Sequence, residues 1–278
     1  MKTKAVINLP RPHNCILAGI GVLIGAIIAL GNIPSIRITF AFLAAALVSG
    51  AGNAVNDYAD RELDAINNPD RPIPSGKIKP RTALLTSGTL FALGIISAAL
   101  IGRISCLLLA SINSGLLAYY AASLKRKGLI GNLTISYLVG SNFLFGGLAV
   151  GGFRTVGILG AMAAFSTAGR ELIKDIEDIR GDKKSGSESF PLKYGRKKAA
   201  ALAIIFTVIA IALTPLPYWL GIFGELYFLA VATSIAAFAV GMIIVGKSQS
   251  KENTSKASLS YKIAMGLGLM AFLVGTIV

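Results

Sequence analysis

The chain has 278 residues, 54% of them hydrophobic, with a mean hydropathy of +0.69 and a formal net charge of +14. Apolar runs recur along its whole length, which excludes a water-soluble domain. Two cysteines and one histidine leave little material for a disulfide framework, a zinc site or serine–histidine hydrolysis.

Residues 1–11 form a short basic head. Pro10 and Pro12 mark a helix start, where Arg11 and Asn14 present polar groups at the inner membrane face and His13 sits at the interface. The first apolar run, 12–31, reads as a spanning helix and not as a cleaved leader, because equivalent runs follow it throughout. Those runs are 36–55, 82–101, 104–122, 131–150, 155–173, 199–216, 220–245 and 259–277, which makes nine spans. With the N-terminus inside, 24 of the 27 Lys and Arg residues fall in cytoplasmic segments, and only Arg37, Arg103 and Arg154 fall outside. This is a strong positive-inside asymmetry. The net charge is therefore largely a topology signal and needs no nucleic acid to explain it. The expectation is an all-α integral membrane protein, multi-pass in the cell membrane. Its nine transmembrane helices surround a central cavity, beneath cytoplasmic cap loops.

The second run leads into NAVNDYADRELD, where Asn53, Asp57, Asp60 and Asp64 sit at offsets 0, 4, 7 and 11. On a helix that spacing puts all four on one face. The stripe returns 118 residues later in ELIKDIEDIRGD, with Glu171, Asp175, Asp178 and Asp182 at the same offsets. Eleven of the 13 acidic residues lie in these two regions, so the grouping is not a random scatter. Each stripe follows an apolar run, and four helices separate the two, so both lie on the cytoplasmic side with the N-terminus.

After the first stripe, residues 67–81 (NNPDRPIPSGKIKPR) are rich in backbone-restricting prolines and include Arg71. This reads as a structured cap. The fourth span ends in Tyr119 and Tyr120, followed by Lys125, Arg126 and Lys127. The tyrosines suit an interfacial belt, with a cavity-facing cation–π role as the alternative. The fifth span opens with Gly131-Asn132 and carries Asn142. A second glycine- and proline-bearing loop, SGSESFPLKYGRKKAA, follows the second stripe. The chain thus reads as one domain, 1–278, with a weak parallel repeat of about 36–122 and 155–245.

Clustered carboxylates repel one another unless cations neutralise them, and hard oxygen donors at this density favour Mg²⁺ or Ca²⁺. Face to face, the two stripes would line one pocket. Mg²⁺ shares its positions readily with phosphate oxygens, so a diphosphate is the natural ligand. Arg71, Lys125 and Lys174 are placed to contact its phosphates. A membrane setting adds a hydrocarbon tail lying between helices. Departure of pyrophosphate leaves an allylic, cation-like carbon that an aromatic face or amide dipole stabilises. The reading from another class is a divalent-cation transporter. Its sites would sit near the bilayer midplane, whereas these stripes fall at the inner ends of helices.

NDYADRELD followed by NPDRPIPSG, with a second ExxxDxxD stripe four helices on, resembles the UbiA superfamily of intramembrane prenyltransferases. The resemblance covers essentially the whole chain. It implies Mg²⁺-dependent transfer of a prenyl group from a polyprenyl diphosphate to a lipid-like acceptor, with no obligate protein partner. Carried over by motif, the metal ligands are Asp57, Asp60, Asp64, Glu171, Asp175, Asp178 and Asp182, with Asn56 and Asp64 in catalytic roles. Glu171 stands where many members carry Asp. Arg11 and Asn14 also look similar, Arg11 toward the diphosphate and Asn14 toward catalysis, and Asn53 of the first stripe is expected at the diphosphate. Tyr120 and Lys125 are similar to the family's tyrosine-to-lysine motif, at an inexact spacing. The short loops and the GLIGN segment look most like the archaeal lipid branch. There a geranylgeranyl group passes from geranylgeranyl diphosphate to the free hydroxyl of geranylgeranylglyceryl phosphate, forming the second ether bond of the membrane lipid. Aromatic or tetrapyrrole acceptors of the quinone, haem or chlorophyll type are the alternative.

Overall fold

The computed structural model of the chain describes residues 2–30, 36–184 and 186–276, and the side chains of residues 2–4, 30, 66–67 and 153–155 fall outside that description. The far ends of two expected spans, residues 31 and 277, therefore lie outside the described residues. So do Ser185 of the second loop and the side chains of Lys2, Lys4 and Arg154.

Among the described residues every regular element is helical. A bilayer core offers backbone groups no partners, so an apolar span satisfies its own N–H and C=O groups along the helix. In chain order the elements begin with α1 (Lys2–Asn8), α2 (Pro12–Leu30), α3 (Ile36–Ala59), α4 (Arg61–Asn67), α5 (Pro80–Leu100) and α6 (Ile104–Ala122). A 3-10 turn (Leu124–Arg126) leads to α7 (Leu129–Val150), α8 (Phe153–Lys184), α9 (Phe190–Tyr194) and α10 (Arg196–Ala212). The chain ends with α11 (Leu216–Trp219), α12 (Leu226–Lys247) and α13 (Lys251–Gly275). Nine segments among the described residues are long and apolar enough to cross a membrane.

The expected spans recur with shifted ends. The basic head forms α1, with Leu9 just beyond its end 1% exposed. The eighth span starts at Leu226 and not at 220, since Gly221 takes φ 67° in a turn after α11. The ninth starts at Lys251, two turns before the apolar run, where the Ser250 hydroxyl caps the helix by accepting from the Asn253 N–H at 3.2 Å.

The chain divides into two compact units, Met1–Leu124 with Asn142–Phe153, and Lys125–Ser141 with Arg154–Val278. Helix α7 belongs to the second unit up to Ser141 and to the first from Asn142.

In the first unit α3 packs against α2, α5 and α6. Its core joins Val22, Ala41, Ala44, Ala98, Cys106, Ala110 and Phe145. Small residues let these helices approach closely, as membrane helices must when lipid is as apolar as their own side chains. A Cβ at Gly146 would overlap the Val22 carbonyl, and one at Gly94 would come within 2.7 Å of Val48. On α5 the exposed Leu85, Leu93, Ile96 and Leu100 form an apolar outer face suited to lipid.

In the second unit Leu172, Ile173 and Ile176 of α8 are buried against Ala199, Ala200 and Ala203 of α10, Phe238 of α12 and Tyr261 of α13. Tyr261 is fully buried and its hydroxyl accepts from Thr207 at 2.8 Å. Its ring fills the notch left by Gly241 and lies beside Gly169. This lock fixes the rotation of α8, and so the direction of the face that carries the second stripe.

Candidate active site

Each carboxylate stripe is described within its own unit. The first does not lie on one continuous helix. Helix α3 ends at Ala59, Asp60 is a turn residue at φ −85° and ψ −1°, and α4 restarts at Arg61. The break is shallow, because the Asp60 N–H still donates to the Asn56 carbonyl at 2.9 Å and the Asp64 N–H to that of Asp60 at 2.8 Å. The helical register survives, and Asp57, Asp60 and Asp64 are 7%, 5% and 4% exposed.

Two arginines neutralise this buried charge. Arg11 Nη2 donates to Asp57 Oδ1 at 2.6 Å, and Arg71 Nη1 donates to Asp64 Oδ2 at 2.6 Å. Arg71 also lies 3.9 Å from Asp57 Oδ1. Asn68 adds a weaker contact to Asp64 Oδ1 at 3.4 Å. Sequence reasoning aimed both arginines at phosphate, whereas here they sit on carboxylates of the stripe.

Arg11 has φ 54°, and it is the one non-glycine residue with positive φ among those described. That left-handed backbone joins α1 to α2 between two prolines. The joint is fastened through the Pro10 carbonyl, which accepts from Asn53 Nδ2 at 2.8 Å and from Cys15 Sγ at 3.2 Å. Asn53, expected at the diphosphate, thus uses its amide to hold the segment that carries Arg11. Asn14 opens α2 half-buried, its N–H donating to the Arg11 carbonyl at 2.8 Å. Tyr119 is exposed, as an interfacial residue would be, and Tyr120 is half-buried.

The expected cap is ordered. Its turns close through Arg71 N–H to the Asn68 carbonyl, Ser75 N–H to that of Arg71 and Ile78 N–H to that of Pro72, at 2.9 to 3.0 Å. Ile73 and Ile78, 8% and 3% exposed, seat it on Leu9, Ala54 and Ala83. Leu9 is the last residue before the Pro10–Pro12 joint. One small apolar cluster therefore sets both the cap that aims Arg71 and the joint that aims Arg11.

The second stripe lies wholly on α8. Thirty-two residues make about 48 Å of helix, some 18 Å more than a hydrocarbon core of about 30 Å. That surplus is roughly the last twelve residues, the part that carries Asp175, Asp178 and Asp182. Asp175 Oδ2 accepts from Asn132 Nδ2 at 2.7 Å. Glu171 pairs with Arg170 at 2.8 Å. Lys174 is exposed within the stripe and acts electrostatically on Asp175, Asp178 and Asp182, and Lys125 acts on Asp182. The loop after α8 is tied to the segment that carries Lys125 by the Glu188 N–H, which donates to the Arg126 carbonyl at 2.8 Å. Gly128, at φ 55°, admits the Glu188 carbonyl where a Cβ would collide with it.

Sequence reasoning missed three partners. Asn132 was noted but not matched to Asp175, Arg170 was counted only as a topology charge, and Asn68 went unremarked. An amide at the start of an otherwise apolar span was the available signal for Asn132.

The donor set fits a hard divalent cation such as Mg²⁺. All its atoms are carboxylate or amide oxygens, and Asn56 supplies an orphan: its Nδ2 donates to Asp60 Oδ2 at 3.2 Å while its Oδ1 is buried without a partner. Among the described residues no three His, Cys, Asp or Glu side chains are grouped as they would be around a bound ion. At the first stripe, guanidinium groups stand on the oxygens instead.

The profile of the UbiA prenyltransferase family matches residues 18–268. The digeranylgeranylglyceryl phosphate synthase of Methanosarcina mazei is 40% identical over 287 residues, covering 98% of each chain. A solved structure described as digeranylgeranylglyceryl phosphate synthase in membranes superposes with a TM-score of 0.87 at 42% identity, covering 99% of each chain. A UbiA homologue from Archaeoglobus fulgidus, bound to DMAPP and Mg²⁺, shares the fold at a TM-score of 0.70 and 19% identity, covering 97% of this chain and 99% of that one.

Proposed function

The chain belongs to the UbiA prenyltransferase family, and from that premise we propose that it moves a geranylgeranyl group from geranylgeranyl diphosphate to the free hydroxyl of geranylgeranylglyceryl phosphate. The observation that carries the choice of substrates is the 40% identity to a digeranylgeranylglyceryl phosphate synthase across 98% of both chains. The protein is a multi-pass membrane enzyme acting as one catalytic domain. The distribution of its basic residues supports an N-terminus and two carboxylate stripes on the cytoplasmic side.

In the reaction, the bond from the allylic carbon to the diphosphate oxygen breaks and a bond to the acceptor oxygen forms. The hydroxyl proton leaves to a carboxylate of the stripe or to the departing pyrophosphate. Magnesium, when bound, supplies positive charge that offsets the charge developing on the pyrophosphate. Asp57, Asp60 and Asp64 would hold it at the first stripe with Asn56 Oδ1, and Asp175, Asp178 and Asp182 would hold it at the second. Glu171, paired with Arg170, would join the ligands of the second stripe. Arg11, Arg71, Lys125 and Lys174 bind phosphate oxygens. Asn53 acts at one remove by fixing the joint beneath Arg11. Asn14 and Tyr120 offer an amide dipole and a π-face for the allylic cation.

The test is transfer of labelled geranylgeranyl groups by purified protein in detergent with Mg²⁺, offering geranylgeranylglyceryl phosphate or 4-hydroxybenzoate, with EDTA controls. Transfer to the glycerol phosphate alone is expected. Transfer to the aromatic acid instead would overturn the acceptor and leave the reaction class standing.

A further inference from the structure

The two matched stripes are neutralised in different ways. At the first, Asp57 and Asp64 each carry a guanidinium at 2.6 Å. At the second, Asp175 is held at 2.7 Å by the neutral amide of Asn132. We propose that Arg11 and Arg71 are exchangeable counter-cations: a divalent metal enters the first stripe only as a diphosphate draws both arginines off Asp57 and Asp64. Metal and diphosphate then bind there with strong positive coupling. The inference rests on the magnesium–diphosphate reading of this site given above.

Burial makes the exchange obligatory. The Asp57 and Asp64 side chains are 9% and 6% exposed. A carboxylate so withdrawn from water cannot lose one cation without gaining another. A guanidinium and a divalent ion on the same oxygens also repel each other strongly. The arginines, by contrast, are free to leave. Their side chains are 33% and 37% exposed, so water and a ligand reach them, and a half-exposed ion pair breaks at little cost on the arginine's side. Phosphate oxygens match the guanidinium fork as well as a carboxylate does. A diphosphate therefore replaces the partner each arginine gives up.

The supporting frame keeps the exchange local. The backbone at Arg11 is fixed by Asn53 and Cys15 on the Pro10 carbonyl, and that at Arg71 by the turn bonds of the cap. The side chains are the moving parts. By linkage the coupling is reciprocal, so the metal tightens the diphosphate as much as the diphosphate tightens the metal.

The experiment is Mn²⁺ binding to the 278-residue chain in detergent, followed by equilibrium dialysis with and without inorganic pyrophosphate. A protein-free dialysis corrects for the complex that Mn²⁺ and pyrophosphate form in solution. Asp57→Asn identifies the first-stripe ion as the binding it abolishes. Pyrophosphate is expected to tighten that ion by roughly 5- to 150-fold, the usual span of coupling between two ligands. Arg11→Gln combined with Arg71→Gln is expected to tighten Mn²⁺ in the absence of pyrophosphate and to reduce the coupling to the smaller part that direct metal–phosphate contact supplies. A double variant that binds Mn²⁺ no better than wild type, or that keeps the full coupling, overturns the exchange. If the double variant does not fold, Arg71→Gln alone carries the test, with a coupling expected between the two extremes. Prenyl transfer by the wild type is assayed separately. Transfer without coupling overturns the exchange alone, and coupling without transfer overturns the proposed reaction alone.

Discussion

Truncating Ile78 to alanine isolates the contribution of the cap. The side chain is 3% exposed and packs with Leu9, Ile73, Ala54 and Ala83 in a cluster separate from the cores between the spans. Burying such a group and then deleting it costs about 2–5 kcal/mol. This cluster is small and lies beside a loop that can settle inward, so the lower part of that range applies, about 2–3 kcal/mol. The loss falls chiefly on docking of the cap, because Ile78 belongs to the cap and its cluster includes the spans only at Ala54 and Ala83. At about 1.4 kcal/mol per factor of ten, the undocked population rises roughly 30- to 150-fold. Trypsin reads that population directly, since Lys77 is exposed and followed by a cleavable bond, whereas Lys79 is protected by Pro80. Cleavage after Lys77 is expected to accelerate by that factor when opening is fast relative to cutting. The KM for the prenyl diphosphate should rise in parallel, because an undocked cap no longer aims Arg71. An unchanged cleavage rate with an unchanged KM would refute the assignment of the cluster as the cap's anchor.

Asn132→Leu removes the amide that orients Asp175, and the Mg²⁺ concentration for half-maximal transfer should rise about 10- to 100-fold, as for other groups that orient a metal ligand. Asp57→Asn and Asp175→Asn should each abolish transfer while leaving the thermal unfolding profile in detergent that of a folded protein. Full activity in either would sink the reading of both stripes as metal ligands. Gly169→Ala places a Cβ 2.6 Å from Thr207 Oγ1 and 2.9 Å from the Ala203 carbonyl, and overpacking of this kind costs about 1–3 kcal/mol. A lowered melting temperature is expected, and Thr207→Ser should not restore it, because the Ala203 carbonyl remains in the way.

Much of the fold was legible because the membrane imposes a simple rule on composition. Runs of about twenty apolar residues must become helices, and their basic flanks report topology, so nine spans could be read, with some ends displaced by as much as two turns or more. The errors have local causes. Helix α13 continues for two turns through KENTSKAS because Ser250 caps it beyond the apolar run, a signal of capping and not of hydropathy. Helix α1 depends on burial of Leu9 under the cap, which no local pattern records. The two stripes were legible because helical spacing is visible in one dimension. Their partners were not. Arg11 reaches Asp57 across 46 positions and Asn132 reaches Asp175 across 43, with nothing periodic to mark either pairing. Arg11's left-handed backbone was equally hidden, since arginine carries no preference for it.

Equal spacing has thus been given unequal supports, and the supports decide how each stripe responds to its ligands. The second stripe stands on an unbroken helix of 32 residues whose opposite face is locked by Leu172, Ile173, Ile176 and the Tyr261 notch. Nothing in that arrangement has to move for Asp175 to meet a cation. The first stripe crosses a turn at Asp60 and lies under a cap fastened by two isoleucines and by Arg71 on Asp64, while Arg11 on Asp57 fastens the α1–α2 joint. Changing the partner of Arg71 changes what fastens the cap, and changing that of Arg11 changes what fastens the joint. Hydrogen exchange should therefore report ligand binding unevenly. Addition of Mg²⁺ with pyrophosphate is expected to slow exchange at residues 71–78, whose amides close the cap's turns, and to leave residues 172–176 of α8 nearly unchanged. Slowing of equal size in both segments would mean that the second stripe is as mobile as the first, and would remove the physical basis for treating the two differently.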